Sequence, residues 1–214
     1  MTLTDALTAL SSDPQQMTRS VLRIFHFIGL ALGLGSAMLL DMMIVRFFLG
    51  KVLTQHATDI FSFCADVVGI GLKLLWVTGI GFLIYYWAYE PIKLSNEKVW
   101  AKMVIVAILT GNGHFIHKTI LPFLQQQVGR TMLEDTTRLR QHLFVSASII
   151  SLVSWFGPLI IANLPHLNFQ VPMLQILAIY AMVLAAFFSI AHLILMTGNT
   201  HASLSRRFRR TETA

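Results

Sequence analysis

Five stretches of this chain, residues 20–49, 61–88, 99–122, 142–164 and 172–196, are long, apolar and almost free of charge, with short polar segments between them. About 20 helical residues cross a hydrocarbon core roughly 30 Å thick. Inside lipid a helix satisfies its backbone hydrogen bonds within one segment, which an irregular segment cannot do. The expected fold class is therefore all-α, an integral membrane bundle of five transmembrane helices in a lipid bilayer. Composition agrees, because only 12% of residues are charged and 55% are hydrophobic, whereas a soluble domain carries about 25% charged residues. The division that follows is a polar N-terminal segment 1–19, a five-helix domain 20–197 and a basic tail 198–214. Residues 1–16 contain no Lys or Arg and lead into no small-residue cleavage pattern, so the first span is expected to be retained.

Charge placement sets an orientation. Arg46, Lys51, Lys118, Arg130, Arg138, Arg140, Arg206, Arg207, Arg209 and Arg210 fall on one side, and Arg19, Arg23, Lys93, Lys98 and Lys102 on the other. The richer side is expected to be cytoplasmic, which puts the N-terminus outside and the C-terminus inside, as in a bacterial inner membrane. The formal charge of +6 thus reports topology and contact with anionic lipid, not nucleic acid. Tyr85, Tyr86, Trp87 and Tyr89 read as an interfacial belt. The single cysteine, Cys64, excludes an internal disulfide and any thiolate cluster built by this chain alone. Phosphate loops, nucleophile elbows and zinc-protease helices are absent from the sequence.

Polar groups at membrane depth carry the functional signal, since each costs at least about 2.5–3.5 kcal/mol near the bilayer centre. Asp41 and Lys73 fall on the same side of centre in antiparallel helices, which predicts an ion pair, either a structural lock or part of a proton path. His114, His117, His142 and His192 gather toward one leaflet, and His26 and His166 toward the other. Imidazoles from facing helices are how bundles hold haem iron. Small residues at Gly29, Gly33 and Ala37, at Gly111 and Gly113, and at Ala185 and Ser189 leave room for a helix or a flat ring. His114 and His117, three residues apart on one helix face, suit copper or zinc as readily as haem. The set His26, His114, His117, His142 and His192 is therefore the candidate metal set. One or two haem b groups are expected, with copper the alternative. An inner haem would pair His114 or His117 with His192, and an outer one would use His26, with His166 opposite. Ser148, Ser151 and Ser154 form a polar stripe, and Gly157-Pro158 is expected to kink its helix.

Three segments carry a resemblance. Arg23-Ile-Phe-His26-Phe-Ile-Gly29, Leu75-Trp-Val-Thr-Gly79-Ile-Gly81 and Trp100-Ala-Lys102-Met-Val-Ile-Val106 resemble the first three helices of the CopD-like and HemJ-like membrane families. Members of these families are helical bundles linked to copper handling or to haem-dependent protoporphyrinogen oxidation. The resemblance implies that His26 is a haem ligand and that Lys102 faces a carboxylate or propionate. It covers about half the chain; the Asn112-Gly-His114 segment and the helix with His192 fall outside it. The combined expectation is a b-type haem protein that transfers electrons or carries out haem-dependent oxidation, with a quinone, a redox protein or a second copy of the chain as partner. A metal-ion or small-solute transporter and a non-catalytic subunit of a membrane complex are the rival readings.

Overall fold

The computed structural model describes residues 13–48, 52–131 and 136–212, with the side chains of Phe48 and of residues 195–212 outside the description. The tail arginines and His201 therefore lie outside the described side chains, and most of the polar N-terminal segment lies outside the described residues. The five expected helices are present: α1 Pro14–Phe48, α2 Gln55–Tyr89, α3 Glu97–Gln126, α4 Arg138–Ala162 and α5 Met173–Glu212. All five are long and apolar enough to cross a membrane. Turn chemistry marks the starts. Thr54, Asn96 and Thr137 each precede a helix and accept from a backbone N–H of its first turn, satisfying donors with no partner inside the helix.

Short connections make successive helices antiparallel. The α1–α2 and α3–α4 connections meet at one end, where Leu53 N–H donates to the Arg130 carbonyl (2.9 Å) and Gly129 N–H to the Leu53 carbonyl (2.8 Å). The α2–α3 connection lies at the opposite end, where Glu90 accepts from Lys93 and Arg19. These will be called the Leu53 end and the Glu90 end.

The tightest contact in the bundle is between α1 and α2. A Cβ on Gly71 would lie 2.6–2.8 Å from the backbone of Gly33 and Gly29, so the two main chains touch with no side chain between them. On its other flank Gly33 meets the indole of Trp155 from α4. The ridge Gly29, Gly33, Ala37 is therefore occupied, by α2 backbone and by Trp155, and leaves no slot for a flat ring.

This contact fixes the register, with His26 beside Thr78 and Leu22 beside Gly81. Followed toward the Leu53 end, the same register puts Asp41 by Phe61 and Ala65, with which it lines one cavity. Lys73 lies level with α1 near residue 31, about ten residues and about 15 Å from Asp41 along the axis. It is exposed on the outer face of α2, its stem leaning toward the Leu53 end as helix side chains do. The expected Asp41–Lys73 pair does not form; the ion pairs among the described residues are Arg19–Glu90 and Lys93–Glu90.

Farther along, α4 continues through Pro158, and the Ser154 hydroxyl lies 2.8 Å from the Tyr180 hydroxyl, joining α4 to α5. Lys98, only 4% exposed, donates to the Leu164 carbonyl at 2.8 Å and ties α3 to the end of α4.

Gly71→Ala forces the α1 and α2 backbones apart and is expected to cost about 1–3 kcal/mol, read as a lower thermal midpoint in detergent. Gly79→Ala, on the same helix with open space around it, leaves the midpoint unchanged or raises it. At the Glu90 end, the hydrogen bond from Lys93, helped by the charges of Lys93 and Arg19, holds the Glu90 carboxyl below its ordinary value. A carboxyl lowered in the folded state stabilises at neutral pH, and that stabilisation fades as pH falls through the folded value. Glu90→Gln is thus expected to flatten the acid limb of a stability-versus-pH curve.

Candidate functional site

The expected histidines occupy three separate places. Nearest the Glu90 end is His26, half-buried on α1. Its Nδ1 lies 2.8 Å from Thr78 Oγ1, and that hydroxyl is 2.7 Å from the Leu74 carbonyl. A carbonyl only accepts, so Thr78 donates to Leu74 and His26 Nδ1–H donates to Thr78. The network thereby assigns the lone pair to Nε2. The Phe82 ring packs edge-on at 5.7 Å and steadies the imidazole. Lys102 of α3, also half-buried, is near enough to act electrostatically on His26, and it makes no hydrogen bond or ion pair among the described residues. His166, the expected partner, is exposed in the α4–α5 connection and does not join His26.

The second place lies toward the Leu53 end, where α3 changes winding. Pro122 has no N–H for the carbonyl four residues earlier, and Leu121 N–H bonds instead to Ile116, five residues back, making Ile116–Ile120 a π-turn. Such turns re-aim side chains and recur at functional sites. Here His117 Nε2 lies 3.1 Å from the Ala65 carbonyl of α2, so Nε2 carries the proton and Nδ1 the lone pair. Beside it a partly open cavity of about 60 Å³ lies between α1, α2, α3 and α4; its surface is almost wholly hydrocarbon, with Asp41, Asn112, His117, Ser148, Ser151 and Trp155 among the lining residues. Asn112 Nδ2 donates to the Ala147 carbonyl at 2.9 Å, leaving its oxygen free. Asp41, Ser148 and Ser151 make no hydrogen bond among the described residues, and the indole N–H of Trp155 is buried without a partner.

The third place joins α4 to α5. His142 and His192 stack at 4.7 Å with 12° between their planes. His192 Nδ1–H donates to the Phe188 carbonyl at 2.7 Å, and His142 Nδ1 is buried with no partner. The expected inner pairing of His114 or His117 with His192 is therefore replaced. His114 is exposed on α3, His117 turns to α2, and His192 meets His142 instead. No group of three or more His, Cys, Asp or Glu among the described residues is placed to hold a metal ion.

Sequence reasoning missed Thr78, Gly71 and Trp155. Thr78 offered one signal, a hydroxyl in the middle of a span, and the other two are legible only once the helices are packed. Compared with known protein families, with characterised proteins and with solved structures, the chain shows no significant match.

Cysteines replacing His142 and His192 are expected to join through a short thiol-to-thiol cross-linker in the membrane. The pair His114→Cys with His192→Cys is expected not to, read as gel mobility after proteolysis between α4 and α5 for the first and between α3 and α5 for the second.

Proposed function

We propose that this protein is a membrane-embedded b-type haem protein that transfers electrons or carries out haem-dependent oxidation, with His26 as the iron ligand. The observation that carries the reading is the fixing of His26: its Nδ1–H is held by Thr78, so Nε2 presents a lone pair at membrane depth. Metal-binding imidazoles characteristically have the other nitrogen tied in this way, which sets tautomer and orientation. Lys102 supplies the second half of the fit. It is a half-buried cation close to His26 with no protein counter-charge, and a carboxylate on the ligand would neutralise it. Haem supplies the one-electron chemistry when bound; Thr78 orients the ligand, Phe82 packs its edge, and Lys102 holds the acid group.

The haem we propose is a single one, held by His26 near the Glu90 end. The cavity beside His117, at about 60 Å³, is below even the ~150 Å³ that accepts a benzene ring, and a porphyrin is far larger. The electron partner we infer is a quinone or a redox protein in a bacterial inner membrane, with the arginine-rich Leu53 end toward the cytoplasm.

The test is a reduced-minus-oxidised visible spectrum of protein purified from cells supplied with a haem precursor. A Soret band that His26→Ala abolishes is expected. Thr78→Val should weaken haem retention about 10- to 100-fold, and Lys102→Met should weaken it while leaving the band's position unchanged. A colourless preparation, or a band indifferent to His26, removes the proposal.

A further inference from the structure

We propose, independently of the haem reading, that the outer face of α2 is a homodimer interface: a second copy of this chain covers it, with Lys73 of each copy paired to the partner's Asp66.

Two exposed charges of opposite sign start the argument. Asp66 and Lys73 are both exposed on α2 and make no hydrogen bond or ion pair among the described residues. A spacing of seven residues puts them on one face of the helix, away from Gly71, which meets α1. Their depth is read from α1. Its exposed apolar side chains run from Val21 to Val45. In the register fixed by His26 and Thr78, Lys73 is level with the middle of that run, and Asp66 is level with Met38, about 10 Å inside its end. Both charges therefore stand at hydrocarbon depth. A charge there costs about 2.5–3.5 kcal/mol at the bilayer centre, and such residues pair with one another or face protein.

Lipid alone does not resolve the two charges. A lysine stem can extend toward a phosphate, but the short side chain of Asp66 cannot reach a surface about 10 Å away, and a phosphate would repel it. A second copy resolves both at once. Two copies inserted in the same orientation meet through a two-fold axis along the membrane normal, so the same face of α2 packs against itself. The Lys73 stem leans toward the Leu53 end, which is the direction of Asp66, so each ammonium extends toward the partner's carboxylate, two turns away along the axis. The two pairs are equivalent by symmetry, and the four charges sum to zero.

The rest of the face suits a helix partner. Asp59, Asp66, Lys73, Ile80 and Trp87 recur every seven residues, and all are exposed. That repeat keeps them on one seam when two helices cross at about +20°. Asp59, at the edge of the apolar run, already accepts from Gln55 Nε2 at 3.0 Å and needs no partner. Beside the seam Ile70 and Val77 are exposed. Gly69, one turn from Lys73, has open space around it, so a second backbone can come close between the two charges.

The experiment uses the full chain in phosphatidylcholine vesicles and needs no haem. In a Cys64→Ala background, Ile80→Cys is placed on the seam and Leu193→Cys, exposed on α5, away from it. Disulfide-linked dimer is measured on a non-reducing gel after oxidation, as the protein is diluted into lipid. Ile80→Cys is expected to cross-link and Leu193→Cys not to. Added to Ile80→Cys, Lys73→Asp and Asp66→Lys each shift the dilution at which the dimer is half lost by at least about tenfold, and the two reversals together restore it. Variants are first checked for wild-type helical circular dichroism; if a charge reversal does not fold, the comparison of Ile80→Cys with Leu193→Cys decides. The proposal is overturned by a chain that stays monomeric at every dilution, as it would if Lys73 only held a lipid phosphate. A dimer indifferent to both charge reversals, or one linked through Leu193→Cys instead of Ile80→Cys, overturns it equally.

Discussion

The register of α1 against α2, and with it the depth of His26 and Asp41, is set by a backbone contact. Gly71 of α2 meets Gly29 and Gly33 of α1 with no side chain between them, and Trp155 of α4 closes the far side of Gly33. Without a hydrophobic drive between helices in lipid, close packing of this kind is the main source of association. It also has only one workable register, because a one-turn slip would bring Val67 or Leu75 to the place where Gly71 now meets the Gly33 backbone. That register is what brings Thr78 to His26, Ala65 to Asp41's level, and Lys73 out to the lipid.

The contact explains which part of the molecule was legible beforehand and which was not. Hydropathy alone gives five spans, because chain length and charge scarcity admit little else, and the helices found are those spans extended into their caps. Depth along a span is also readable to within a turn or two. Partners are harder. Asp41 and Lys73 looked level because each helix was centred on its own apolar window, yet α2 runs from Gln55, well before its apolar stretch begins, and its register is set by Gly71 rather than by its midpoint. Rotation about the axis is harder still: His114 and His117 sit three residues apart on the same helix, but the π-turn forced by Pro122 separates their fates, leaving one exposed and the other against α2. Their joint metal site was an inference from regular α-helical spacing, and that spacing ends at Ile116. The His142–His192 stack needed the packing of α4 against α5, which no local pattern encodes.

The same glycine layer divides the polar interior in two. His26 with Thr78 and Lys102 lies on its Glu90 side, and Asp41 with Asn112 and His117 on its Leu53 side. Along α1 the two are fifteen residues apart, about 22 Å at helical rise. Between them stand Gly29, Gly33 and Gly71 in main-chain contact and the Trp155 ring, a segment too closely packed for a chain of water molecules. A side chain at Gly71 would open this layer by prising α1 from α2. The glycines thus do more than allow two helices to approach: they hold His26 and Asp41 at fixed depths on either side of a close-packed layer.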